Sequence, residues 1–246
     1  MTQTTAADST PTPEAKSLPA RFIGILFAPR ATYAAVAAQP RWLGIFLLCA
    51  LISGTATTTF MSTDVGRNAM LDQQIKSSES FTGRPMTQAQ IDRMEQYSKY
   101  AVYTTPVFQL LGIGLGGLLI SGIAFAVFNA LLGGDASFKQ VFAVTVHGNV
   151  IPSTLALFTL PLAYVRETLS GTTNLAVFFP FLDESSFAAR FLGSIDLIFI
   201  WWMLSLAIGF GVLYRRRTGP IAITMFTLYA AIALVIAAIR TAATGV

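Results

Sequence analysis

Arg190–Arg217 reads RFLGSIDLIFIWWMLSLAIGFGVLYRRR. Residues 191–214, 24 in number, contain one charged side chain, Asp196. As a helix they would extend about 36 Å at roughly 1.5 Å per residue, more than the hydrocarbon core of about 30 Å. Arg215, Arg216 and Arg217 then stop the span and mark a cytoplasmic side. The stretch reads as a membrane helix with one acid inside and a basic foot. It sets the fold class: all-α, a polytopic membrane bundle.

Composition agrees. The chain is 54% hydrophobic and 11% charged, where soluble domains carry about 25% charged residues. Its net charge of +4 is not spread over a broad basic surface. Nucleic acid is therefore not an expected partner, and the arginines read as topology and lipid-headgroup contacts. Cys49 is the single cysteine and His147 the single histidine, which excludes an intrachain disulfide or a His-rich metal site. No HExxH, GxSxG or Walker A motif is present. The expectation is no enzyme, no cofactor and no metal.

Working outward, five spans are expected: 42–61, 106–132, 138–165, 191–214 and 221–239. Residues 1–19 read as a disordered cytoplasmic tail, 20–240 as the membrane domain, and 241–246 as a short tail. Phe22–Ala28 is too short for a secretory signal and ends at Pro29. Residues 20–41 suggest two short helices separated by Pro29 and ended by Pro40. They are read either as interfacial helices or as a lead-in packed on the bundle.

The polar loop 62–104 has capping-box spacing at Thr87–Gln90, and a helix is expected from there towards Tyr103. The second span is glycine-rich, with GxxxG spacing at Gly112 and Gly116 that predicts close helix packing. Asp135 or Ser137 is placed to cap the third span, and Pro152 to bend it. Leu175–Leu182 is too short to cross and is interrupted by Pro180. Ser185 or Ser186 is placed to cap the lead into the fourth span. An odd span count puts the termini on opposite sides. The arginine triplet and Arg30/Arg41 assign the amino terminus to the cytoplasm and the carboxyl terminus outside.

Candidate polar sites lie within the spans: Asp196, His147, Asn149 and Pro152, with Trp201 beside them. Helix rise places Asp196 roughly 10 Å to one side of the bilayer centre and His147 roughly 7 Å to the other, too far for an ion pair. Asp196 is read as a proton or cation site, as a structural hydrogen-bonding acid, or as an acid hydrated near the outer interface. His147 is read as a relay or as an interhelical hydrogen bond. The threonines of 55–59 could line a cavity or simply pack. Of Trp201 and Trp202, the inward-facing indole is expected to bond a neighbour.

Three phrases, in order, resemble the Yip1 family in its bacterial form. They are RFIGILFAPRATYAAVAAQPRW, GGDASFKQVFAVTVHGNVIP and IDLIFIWWM. Gly133, Gly134, Phe138, Lys139, Pro152, Asp196 and Trp201 fall on the family's positions by spacing, and the likeness covers roughly residues 20 to 240. Ile198 departs from a frequent phenylalanine. The resemblance implies a small helical membrane protein with a cytosolic amino terminus, here in a bacterial cytoplasmic membrane. Eukaryotic relatives are linked to Rab-type GTPases and vesicle traffic, a role that the short tail gives no reason to transfer.

Two functions are weighed: a membrane organiser or interaction protein, and a transporter or channel component using Asp196. The expected partners are the lipid bilayer, with a protein at the cytoplasmic face or a second copy of the chain as candidates.

Overall fold

The computed structural model describes residues 16–169, 171, 173–183 and 186–244. The tail expected over 1–19 therefore lies mostly outside the described residues. Its end is helical: α1 spans Leu18–Phe27, capped by Ser17, with Pro19 in its first turn. Pro29 begins α2 (Pro29–Ala38) directly after the break at Ala28. Proline suits that position because the first helical N–H has no intrahelical partner.

α3 is Leu43–Met61. The polar segment that follows holds two helices, α4 (Asp64–Thr82) and α5 (Gln88–Ser98), where one was expected. Thr63 caps α4, and Gly83 ends it in a left-handed conformation at φ 65°, a turn that glycine adopts without steric cost. At the start of α5, Gln90 accepts from the Thr87 backbone N–H at 2.9 Å, as the capping box predicts.

α6 (Ala101–Phe125) starts five residues before the expected span and carries Pro106 inside it. A π-helical turn over Ala126–Leu131 completes it. α7 (Phe138–Gly148) opens on the Ser137/Gln140 capping box. α8 (Val150–Arg166) follows after a one-residue break at Asn149. Pro152 sits in the first turn of α8, so the bend lies on its amino-terminal side.

A 3₁₀ turn at Leu175–Phe178 and the short α9 (Phe187–Gly193), capped by Ser186, precede α10 (Leu197–Leu213). Ser185 lies outside the described residues. α11 (Thr218–Thr244) is the last described element.

Among the described residues, four helical stretches are long and apolar enough to cross a membrane: Leu43–Met61, Ala101–Leu131, Phe138–Arg166 and Thr218–Ala242. The fourth expected span is not one helix. It breaks at Ser194–Asp196, and α10 keeps 17 residues, about 25 Å. The break is made by a second segment of the chain. Leu175 N–H bonds the Ile195 carbonyl at 2.9 Å and Leu197 N–H bonds that of Thr173 at 3.0 Å, a β-bridge that holds Asp196 extended.

α7–α8 is the central element, with 61% of its apolar window buried against 17% for α6–π and 22% for α11. The main core gathers Tyr33, Ile45, Val144, Trp202, Leu206 and Phe210. A second cluster of Phe60, Met61, Ala69 and Ala163 fastens α4 to the ends of α3 and α8. The bundle thus has a cap end, carrying α4, α5 and α9, and an arginine end, where α10 meets α11. α1 and α2 pack against α7, α8 and α10 from the arginine end. Tyr33 and Val36 are fully buried there, while Ile23 and Phe27 of α1 are exposed.

Candidate functional site

Asp196 is the N-cap of α10. Its Oδ1 accepts the backbone N–H groups of Ile198 at 2.8 Å and Phe199 at 3.0 Å. Its Oδ2 accepts the Thr173 hydroxyl. Its own N–H donates to the Tyr229 hydroxyl at 3.0 Å, which in turn donates to the Ser194 carbonyl at 2.9 Å. These contacts answer the first need of a helix start, partners for N–H groups that have none within the helix. The acid therefore closes the cap end of α10 and ties it to α11 and the 173–175 segment. It does not stand alone within a span.

His147 is fully buried, and its Nδ1 lies 2.7 Å from the Ala143 carbonyl of its own helix. The contact is intrahelical, not the interhelical bond expected, and Nε2 has no partner among the described residues. Thr58 is on α3, where Thr55, Thr58, Thr59 and Ser62 line an open recess of about 460 Å³ against Pro106. Asp196, His147 and Thr58 do not share a cavity among those found. Other buried hydroxyls are taken up in packing. Ser53 bonds the Cys49 carbonyl at 2.6 Å and lies 2.9 Å from Ser153. Ser121 bonds the Gly117 carbonyl at 2.6 Å and lies 3.0 Å from Thr145.

Two of the sequence-named residues do meet in one place. Asn149 and Pro152, at the α7–α8 break, line an open groove of about 310 Å³ with Gly112, Gly116 and Gln109 of α6 and with Trp202. The indole that points inward is that of Trp202, 8% exposed, whereas Trp201 is 42% exposed. Trp202 Nε1 is buried without a partner among the described residues. The bond expected for it is not made.

The glycines of α6 divide by face. A Cβ built on Gly117 would touch Phe142 at 3.4 Å and one on Gly114 would touch Phe46 at 3.6 Å, but Gly112 and Gly116 meet nothing within 4 Å. The GxxxG pair is thus an open face, and close packing falls to Gly114 and Gly117.

At the arginine end, Gly133 (φ 67°) turns the chain out of the π turn. A Cβ on Gly134 would lie 2.7 Å from the Tyr214 ring and 2.8 Å from the Phe128 carbonyl, so only glycine fits. Tyr214 stacks on Phe128 at 4.6 Å and donates to Asn129 Oδ1 at 2.7 Å. Arg216 reaches the Leu132 carbonyl at 2.9 Å. Gly133 and Gly134 therefore build a joint between the α6–α7 turn and the foot of α10. Sequence reading missed Tyr33, Tyr214 and Tyr229, whose hydroxyls bridge distant elements with no local signal.

Among the described residues, no three His, Cys, Asp or Glu side chains are grouped so as to hold a metal. No curated protein and no solved structure matches the chain. The model of the Yip1 domain family matches residues 23–239, nearly the whole chain, and with it the protein is shown to be a multi-pass membrane protein that belongs to the Yip1 family.

Proposed function

We propose that this protein is a non-enzymatic organiser of a bacterial cytoplasmic membrane, acting through protein and lipid contacts with its amino terminus on the cytoplasmic side. Membrane proteins of the Yip1 family are non-catalytic. The observation that carries the reading is the separation of the polar groups: Asp196 caps a helix, His147 bonds its own helix, and Thr58 lines a different recess. Transport would need such groups along one path, because charge in the hydrocarbon region is costly unless it lines a wet cavity. The open Gly112/Gly116 face beside Asn149 supports an interaction role, since small residues and amides are what associating membrane helices use.

The test is proton and cation flux in sealed liposomes, with wild type and D196N. Both should leave permeability at the level of protein-free vesicles. Flux that depends on Asp196 would overturn the organiser reading.

A further inference from the structure

Arg21 is in the first turns of α1, and Arg41 directly precedes Trp42 at the start of α3. Arg21 Nη1 donates to the Arg41 carbonyl at 2.6 Å. The bond holds the Arg21 guanidinium against the backbone of residue 41, within reach of the Arg41 charge although both are positive. Burial and the Arg41 charge together hold the Arg21 pKa below its ordinary value. Like charges brought together in a partly buried place repel. Neither has an acidic partner within ion-pair reach among the described residues, where Arg67–Asp64 does make such a pair. Arg21 Nε is buried without a hydrogen-bond partner, while Arg41 is exposed.

A phosphate group answers all three features. It supplies negative charge between the cations, accepts several N–H groups at once, and matches the planar fork of a guanidinium. Trp42 beside the pair is a residue type that favours the headgroup layer. The arginine triplet offers less: Arg216 is held by the Leu132 carbonyl, and Arg215 and Arg217 are exposed. We propose that Arg21 and Arg41 form a phosphate-binding clamp at the base of the α1–α2 hairpin, placed to take the headgroup of an anionic phospholipid.

The test is thermal unfolding of the purified full-length protein in mixed micelles, titrated with phosphatidylglycerol, with phosphatidylcholine, or with inorganic phosphate. Phosphatidylglycerol should stabilise the wild type, and R41Q should weaken that response about tenfold or more. R41Q leaves the Arg21 bond intact, because that bond ends on the backbone of residue 41. R41K keeps the charge without the fork and should fall between the two, which also shows that substitution at this position leaves the fold intact. R217Q should respond within about twofold of wild type. Stabilisation by inorganic phosphate at matched concentration, lost in R41Q, would uphold the clamp and assign it to soluble phosphate. An unchanged phosphatidylglycerol response in both R41Q and R21Q/R41Q, or an equal loss in R217Q, would overturn it.

Discussion

The Tyr33 hydroxyl of α2 and the Ser205 hydroxyl of α10 lie 2.8 Å apart, buried, between residues 172 positions apart in the chain. Ser205 is eight residues before the end of α10, about 12 Å along its axis from the arginine foot. α2 therefore does not merely rest on the end of the bundle. Its middle is anchored part-way along α10, and its carboxyl end is fixed where Gln140 donates to the Ala37 carbonyl at 2.9 Å.

If Tyr33 docks the hairpin, Y33F should cost about 1 kcal/mol, the net worth of a neutral buried hydrogen bond. Y33A should cost about 3–5 kcal/mol, because it also empties a fully buried ring site. Thermal unfolding in detergent reads both. Wild-type stability in Y33A would mean that α2 is not part of the folded core.

Two glycine-to-alanine changes should differ sharply. A Cβ on Gly209 would lie 2.6 Å from Val144 Cγ1 and 3.0 Å from the Tyr33 ring, so G209A must push α2 or α7 aside. Overpacking of this kind costs about 1–3 kcal/mol. G116A meets nothing within 4 Å and adds helix propensity, so the isolated protein should be unchanged or stabilised by up to about 1 kcal/mol. A loss of self-association or partner binding in G116A, with stability retained, would assign the open face to an interaction.

What the sequence made legible was local. The Ser137/Gln140 and Thr87/Gln90 boxes, the Ser186 cap and the apolar runs all act within one or two helical turns, and they appear where the spacing puts them. α4 escaped because its residues carry little apolar pattern, and its packing on α3 and α11 comes from tertiary contact. The span across Asp196 was misread because hydropathy counts apolar residues and cannot register a β-bridge to Asn174, 22 positions away. Trp201 was named for its place in the family phrase IDLIFIWWM, and a run that is apolar all round fixes no helical phase to say which indole turns inward. The inner face of α10, with Trp202 and Leu206, is set by its approach to Gly148 of α7, a contact between helices that leaves no mark in the run itself.

The cap role of Asp196 separates two substitutions. D196A removes the acceptor for two backbone N–H groups and should cost about 1 kcal/mol, within the usual 0.5–2 for a lost N-cap. D196N keeps an oxygen that can accept both and should lose much less, since asparagine caps about as well as aspartate. Chemical or thermal unfolding in detergent checks the order. Equal losses in both would show that the charge, rather than the cap geometry, is what α10 requires.

Tyr214 gives the fold a titratable joint. Burial, and then the negative charge of Asp135, push its phenol from 10.0 up to about 12. The folded protein therefore favours the neutral phenol, which donates to Asn129. The sign follows from linkage: this contribution is complete below about pH 10 and is lost as pH rises through about 12. Wild-type stability should fall more steeply across that window than Y214F stability. D135N should lower the midpoint of phenolate absorbance assigned to Tyr214 by comparison with Y214F. A midpoint unmoved by D135N would leave burial as the sole cause, and parallel stability profiles for wild type and Y214F would remove Tyr214 from the joint between α10 and the α6–α7 turn.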